Sequence, residues 1–401
     1  MLIADATYVK SPPPSMILRS WVGGLRNRLI YENHTLIQVN VNLVALKCLT
    51  GVVVLVTRVS FFRKAATRMS LTPDQYAMLE RFAKRPRMMK SAWFLDLDGV
   101  ALVEEHGNVF VSREVEQGIR DLDAQGWSVI INSARFPLSI IKSIASAWLS
   151  IYEADIPAVL LNGALIGSFK KQEDEVVFEE VAAFPLTRDE IEKLVLGIQE
   201  ALGASISGGA RDLAFFFYPR DWRKGEIVWV PEGTHIDSVR HKYRNASEIV
   251  SWSFSELRER MFEANICMAA QLIEKESDAS TEQEPDALQS FQIRNPWDFF
   301  MTDGINKAAG SAIIAEKLKV CLADSAGAGD SKMDTFLAKV GLAVRVGHGK
   351  DMDQVKKEIP FWGIHETLDV DGPPDLGEAM RSLAVLLRVH SSSSSHHENH
   401  S

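Results

Sequence analysis

"AWFLDLDGVAL", residues 92–102, opens as an apolar run and stops on Asp96, with Asp98 and Gly99 just beyond. Asp and Gly are ordinary turn residues at a strand end. The competing reading is a pair of carboxylates delivered to the carboxyl end of a buried strand, where open α/β sheets bind their ligands. The segments that follow decide between the two.

"SREVEQGIRDLDAQG" (112–126) reads as a helix. Ser112 caps it, Val115, Ile119 and Leu122 make an apolar stripe, and Gly126 stops it. "WSVIIN" (127–132) predicts a strand that ends at Asn132 and Ser133. Pro137 then opens a helix carrying Leu138, Ile141, Ile144 and Trp148, and "PAVLL" predicts a third strand ending at Asn162 and Gly163. Strand and helix alternating over short links predict an α/β fold with a parallel sheet and right-handed crossovers. Each strand delivers a polar residue at its carboxyl end, which favours a site over a plain turn.

The texture changes near Gly167. "TRDEIEKLVLGIQEALG" carries a capping-box pattern in Thr187 and Glu190. "DLAFFFYP", "GEIVWVP", "LQSFQI" and "WDFFM" read as strands and "FSELRERMFEA" as a helix, a mix that predicts an inserted α+β domain. Within it, "EKESDASTEQEPDALQ" (274–289) has the composition of a disordered loop. The parallel pattern resumes with "DGINKAAGSAIIAEKLK" (303–319), a helix capped by Asn306 with Lys307 in its first turn. "GDSKMDTFLAKVG" (329–341) then sets Asp330 and Asp334 where a loop enters a short helix, before the strand "LAVRV". The expected organisation is an N-terminal extension (1–88), a discontinuous α/β core (89–166 and 303–390), an insert (167–302) and a low-complexity disordered tail (391–401).

Composition excludes several classes. The chain of 401 residues, 46% hydrophobic, has material for two or three domains. A net charge of −9 argues against a nucleic-acid binder, which carries a basic face. The three cysteines form no CxxC pair, so neither a disulfide framework nor a zinc site is expected. In "NLVALKCLTGVVVLVTRVSFF" (42–62) only ten uncharged positions separate Lys47 from Arg58. A membrane-spanning helix needs about 20 apolar residues, so membrane association is not expected. The β-branched valines suit a strand at least as well as a helix. "LTPDQYAMLERFAKR" (71–85) is a helix with Thr72 as cap and Pro73 at its first position. A reduced, cytoplasmic protein is expected; neither the role of residues 1–88 nor the oligomeric state is readable.

Taken in order, these segments resemble the signature of the haloacid-dehalogenase-like superfamily, in its Cof-like branch. "DLDGV" is similar to the family's DxDG, "INSAR" to its hydrophobic-x-Thr/Ser-Gly-Arg, and "LLNGALI" to the Asn-Gly-Ala element leading into the cap. "INKAAG" is similar to the lysine motif and "GDSKMD" to Gly-Asp-x-x-Asn-Asp. The resemblance runs from Met89 to His348, the last in a loop. It implies a Rossmann-like parallel-sheet core with an α+β cap inserted after the second motif. It also implies Mg²⁺ as cofactor and a phosphatase of a small phosphorylated metabolite, a sugar phosphate above all.

On the same resemblance Asp96 is the nucleophile and Asp98 the proton carrier. Ser133 and Lys307 bind phosphate, Arg135 and Asn162 bind substrate, and Asp96, Asp98 (through its carbonyl), Asp330 and Asp334 hold the metal. The chemistry suits those residue types. A phosphate dianion repels nucleophiles, Mg²⁺ takes carboxylate oxygens, and a carboxylate nucleophile splits the hydrolysis into two steps. Two departures stand out. Met333 replaces the family's Asn, and "SAGA" is a weak strand before Asp330, which makes Asp324 in "VCLAD" a rival metal ligand. Two further readings follow: a phosphomutase, which returns the phosphoryl group to sugar, and a catalytically weak binding or regulatory protein on the same fold.

Overall fold

The structure, a computed structural model, describes residues 27–30, 36–49, 52–62, 71–87, 89–105, 108–151, 155–208, 213–242, 246–273, 299–347, 352–359 and 363–394. The chain forms two units, Met1–Met69 and Ser70–Ser401. In the first, β1 (Asn27–Ile30), β2 (Leu36–Leu49) and β3 (Val52–Phe62) make an antiparallel sheet in the order β1-β2-β3. The valine-rich run is therefore strand. Among the described residues no helix is long and apolar enough to cross a membrane.

The second unit begins with α1 (Pro73–Ala83), where Thr72 and Gln75 complete a capping box. Leu79, Phe82 and Ala83 are buried in the main core cluster. Gln75 Nε2 donates to the Asp369 carbonyl at 2.6 Å, and Arg81 grips Glu366. The expected boundary at residue 88 thus lies beyond a helix that the core holds.

Then follow β4 (Ala92–Leu95), a hairpin of β5 (Leu102–Glu105) and β6 (Asn108–Val111), α2 (Arg113–Asp123) and β7 (Ser128–Asn132). Ser112 accepts from Val115 N as the cap of α2. The next helix has three stretches: α3 (Pro137–Ile140), a π-helical turn (Ile141–Ala145) and α4 (Ser146–Ile151). Beyond it come β8 (Ile156–Leu160), β9 (Leu165–Gln172) and β10 (Glu175–Ala183). The β9–β10 hairpin extends the main sheet, so the expected boundary at residue 167 falls inside a strand of that sheet.

A separate sheet is built by β11 (Leu213–Pro219), β12 (Ile227–Trp229), β13 (Glu248–Val250), β14 (Ile266–Ile273) and β15 (Phe299–Met301), in the order β13-β12-β11-β14-β15. Its helices are α5 (Arg188–Gly208), α6 (Ile236–Lys242) and α7 (Phe254–Glu263). Strand alternation gives this cap two faces. Phe215 and Phe217 pack in a cluster with Ile191, Val195, Leu257 and Met261 of α5 and α7. Phe216 and Tyr218 join the main core cluster instead. The strand expected at "LQSFQI" and the acidic loop at 274–289 lie outside the described residues.

The chain returns through α8 (Lys307–Leu318), β16 (Ala326–Gly329), β17 (Leu342–Val346), α9 (Met352–Glu358), β18 (Glu366–Val370) and α10 (Pro373–Ser394). Helix α10 carries on past residue 390, where a disordered tail was expected; residues 395–401 and His348 lie outside the described residues. The eight-stranded sheet runs β10-β9-β8-β7-β4-β16-β17-β18, with β8 through β18 parallel. From β4 the chain winds outward through β7 and β8, then returns to lay β16 on the opposite side. That reversal between β4 and β16 is the switch point at which such sheets open a crevice. The register pairs Leu95 with Ile131 on one side and with Ala328 on the other. Asp96, Asn132 and Gly329 consequently leave the sheet at one level, and Asp330 follows directly.

Candidate active site

Strand β4 is wholly buried, and its backbone continues to serve the sheet at Asp96, whose N–H donates to the Ala328 carbonyl. The two carboxylates of this stretch diverge. Asp96 is buried, whereas the Asp98 side chain is about half exposed. Gly99 has a φ of +75°, and a Cβ there would collide with the Asp330 carboxylate. Only a bare backbone lets the β4 turn approach β16 so closely.

The weak-looking strand before Asp330 has a packing reason. Strand β16 is buried throughout, and a Cβ at Gly327 would lie 2.7 Å from the Phe336 ring. At Gly329 it would meet the Asp334 carboxyl carbon at 2.5 Å. Small residues make room for a ring and a carboxylate folded back from the following 3₁₀ turn. Asp334 Oδ2 accepts from Asp330 N and Ser331 N, both at 2.9 Å, and Oδ1 accepts from Lys307 Nζ at 2.7 Å. Asp324, by contrast, precedes β16, at the amino end of a strand whose carboxyl end carries Asp330.

Lys307 is buried and lies between two carboxylates, 2.9 Å from Asp96 Oδ1 and 2.7 Å from Asp334 Oδ1. Burial alone lowers its pKa, yet Asp334 and Asp96 outweigh that and hold the ammonium above its ordinary value. For Asp96 the balance tips the other way. Burial pushes its carboxyl well above the usual carboxylate range, and Asp334 and Asp330 add to this against the pull of Lys307.

Asp96, Asp330 and Asp334 each present an oxygen within 4.8 Å of the others. Two like charges at that spacing cost about 3–4 kcal/mol at an effective dielectric of about 20, so one ammonium does not balance three carboxylates. The donor set is oxygen only, which fits a hard divalent cation such as Mg²⁺. The Asp98 carboxylate is not brought into this cluster. Its two oxygens accept from Arg135 Nε at 2.7 Å and Nη2 at 2.5 Å.

Ser133 is fully buried just past β7, and its hydroxyl accepts from Arg135 N at 3.2 Å. Asn162 is buried in a left-handed conformation (φ 54°), and its N–H donates to the Ser133 carbonyl at 3.3 Å. Its Nδ2 points to the Met333 sulfur at 3.7 Å, and its Oδ1 has no partner among the described residues. The departure at Met333 therefore meets Asn162 at one edge of the site.

Sequence reasoning missed Asn132 and Ser311. The Asn132 amide donates to Ser311 Oγ at 2.8 Å, and that hydroxyl donates to the Lys307 carbonyl at 2.8 Å. The first turn of α8 is thereby tied to the end of β7. The signal lay in their spacing, since Asn132 adjoins Ser133 and Ser311 is one turn after Lys307, but only the fold joins them. The β5–β6 hairpin, directly after the Asp96 loop, was also unforeseen.

A protein-family model described as haloacid dehalogenase-like hydrolase matches residues 93–361. The chain belongs to this family, in its Cof-like branch. No curated protein matches the chain. Among solved structures it is similar to BT1666 of Bacteroides thetaiotaomicron, described among the phosphatases of the superfamily. Identity there is 15%, covering 75% of this chain and 97% of that one, with a TM-score of 0.47. It is similar to the subclass IIB sugar phosphatase BT4131 at 16% identity, covering 73% and 98%, with a TM-score of 0.46. A third, TM0651 of Thermotoga maritima, shares 13% identity over 73% and 97%, with a TM-score of 0.46.

Proposed function

We propose that the protein is a Mg²⁺-dependent phosphatase that hydrolyses a small phosphorylated metabolite, a sugar phosphate in the first place, through an aspartyl-phosphate. The observation that carries this reading is the buried set of Asp96, Asp330 and Asp334 with the Lys307 ammonium between Asp96 and Asp334.

When bound, Mg²⁺ supplies the positive charge that holds a phosphate dianion beside these carboxylates and favours their ionised form. Asp96 attacks phosphorus; the bond to the leaving oxygen breaks and an acyl phosphate forms on the side chain. Asp98 gives a proton to the leaving oxygen and takes one from the water that later cleaves the acyl phosphate. Both Asp98 oxygens are held by Arg135. Substrate that draws on the guanidinium frees Asp98 to carry the proton. Lys307 and the Ser133 hydroxyl offset charge on the equatorial oxygens of a loose transition state. Asp334, with its oxygens committed to Lys307 and to two backbone N–H groups, fixes the ammonium in place.

The test is turnover of a generic aryl phosphate by the full chain, with Mg²⁺ and again after EDTA, followed by a panel of sugar phosphates. Turnover that needs Mg²⁺ is expected. No turnover of any phosphate ester overturns the reading in favour of a binding protein on this fold.

A further inference from the structure

Arg135 leaves a backbone that is fixed on several sides. Its N–H donates to the Ser133 hydroxyl at 3.2 Å, and its carbonyl accepts from Leu161 N at 3.4 Å. The next residue, Phe136, is buried against Tyr218 of the cap, with ring centroids 5.5 Å apart. The Arg135 side chain is 9% exposed, and that of Asp98, its partner, is 53% exposed. The guanidinium is therefore the rigid member of the pair and the carboxylate the movable one.

The Nε–Nη2 fork is spent on Asp98, while Nη1 has no partner among the described residues and is not sealed from solvent. Asp98, with both oxygens in the fork, has neither to spare for a leaving oxygen. When it turns to that oxygen, it takes away the main counter-charge of the guanidinium. A largely buried cation left without one is penalised. Sugar hydroxyls offer only dipoles, whereas an anion restores the balance of charge. The planar fork matches the paired oxygens of a carboxylate or a phosphate. The phosphoryl group in transfer is taken by Ser133 and Lys307, which are 0% and 2% exposed and lie deeper than Asp98. The anion that replaces Asp98 thus belongs on the leaving-group side.

We propose that the substrate carries a second anionic group, a carboxylate or a further phosphate, which takes the Arg135 fork from Asp98. Arg135 is then the specificity-determining residue of the site, and binding of the right substrate is what releases Asp98 for its proton. The inference rests on the phosphatase reading with Asp98 as proton carrier. It narrows the substrate to a phosphorylated sugar acid or a bisphosphate. An ester without the second anion leaves Asp98 clamped.

Two pairs of esters test it on the full chain with Mg²⁺. 3-Phosphoglycerate and glycerol 3-phosphate differ by a carboxylate in place of a hydroxymethyl group. Propane-1,3-diol bisphosphate and its monophosphate differ by the second phosphate. Binding is read by calorimetry in Asp98→Asn, which cannot carry the proton and leaves the fork without its carboxylate. In at least one pair the ester with the second anion should bind about tenfold or more tightly, the worth of a charged hydrogen bond. Adding Arg135→Met should erase that preference, whereas an arginine of merely structural role would weaken both esters alike and leave it. Arg135→Lys, which keeps the charge and loses the fork, should retain part of it and serves if the methionine variant folds poorly. In the parent, kcat/KM should favour the same ester. No binding, no preference in either pair, or a preference that survives Arg135→Met overturns the proposal. A preference confined to one pair supports it and names the group, carboxylate or phosphate. A preference in binding with no turnover by the parent supports the exchange at Arg135 and overturns the phosphatase reading. Turnover without any preference does the reverse.

Discussion

Asn162 Nδ2 donates to the Met333 sulfur at 3.7 Å, so the buried asparagine leans on the residue at which "GDSKMD" departs from the family's Gly-Asp-x-x-Asn-Asp. A thioether is a weak acceptor. The amide oxygen of Asn162 meanwhile has no partner among the described residues. Met333→Asn would give both ends of the Asn162 amide a polar neighbour. A hydrogen bond gained there is worth about 1 kcal/mol, to be read from urea unfolding. Mg²⁺-dependent kcat/KM should hold or rise, as supporting partners of a metal site can change activity by about 10–100-fold. A tenfold fall in kcat/KM would show that the sulfur itself is required.

Lys307 is a matter of stability as well as chemistry. Its ammonium is the buried counter-charge for both Asp96 and Asp334. Removing one partner from a buried ion pair costs about 3–5 kcal/mol, because the charge left behind is neither solvated nor paired. Lys307→Met should lower stability by that order at neutral pH and abolish turnover. Adding Asp334→Asn should restore part of the stability and none of the activity. Denaturation of the single and double variants separates the two effects; a double variant no more stable than the single one contradicts the pairing.

Asp96→Asn should remove turnover and leave the fold intact, since the amide keeps the shape and cannot act as nucleophile. Circular dichroism and aryl phosphate assays of the same preparation check it. Near-normal activity with an unchanged spectrum would end the aspartyl-phosphate mechanism.

Asp330→Ala and Asp324→Ala discriminate the two candidate acids of the fourth motif. Asp330 stands in the carboxylate cluster, and Asp324 lies before β16. Loss of Mg²⁺-dependent activity in the first variant and near-parental activity in the second are expected. The reverse pattern would move the metal ligand to the other end of the strand.

Much of this site was legible because its residues sit where a strand stops or a helix starts. Apolar runs end at Asp96 and Ser133, and a helix start supplies Lys307. What could not be read depends on contacts distant in sequence. "SAGA" has little strand propensity of its own, yet Gly327 within it and Gly329 just after it are what Phe336 and Asp334 require above them, and tertiary packing overrides propensity. The Asn132–Ser311 tie joins two polar residues whose spacing says nothing of their pairing. The hairpin after the Asp96 loop was overlooked because the apolar pattern of α2 dominates that stretch. Placing α1 needed Asp369, almost at the other end of the chain.

That placement separates two truncations. A chain beginning at Met69 keeps α1 with its capping box, the buried Leu79 and Phe82, and the Arg81–Glu366 pair. It should fold and retain phosphatase activity. A chain beginning at Met89 discards the helix. Leu79 and Phe82 are 0% and 1% exposed in the full chain, and burying such side chains contributes about 1.5–3 kcal/mol each. Their loss also bares the Trp127 ring, which meets Phe82 edge-on at 6.4 Å, and leaves the Asp369 carbonyl without Gln75. Small domains are stable by only about 5–15 kcal/mol, so this deficit is a large share of the total. The Met89 chain should be insoluble or melt far below the Met69 chain, as thermal unfolding of the two would show. Equal melting temperatures would mean that α1 is dispensable to the core, and an insoluble Met69 chain would mean that the first unit is required for it.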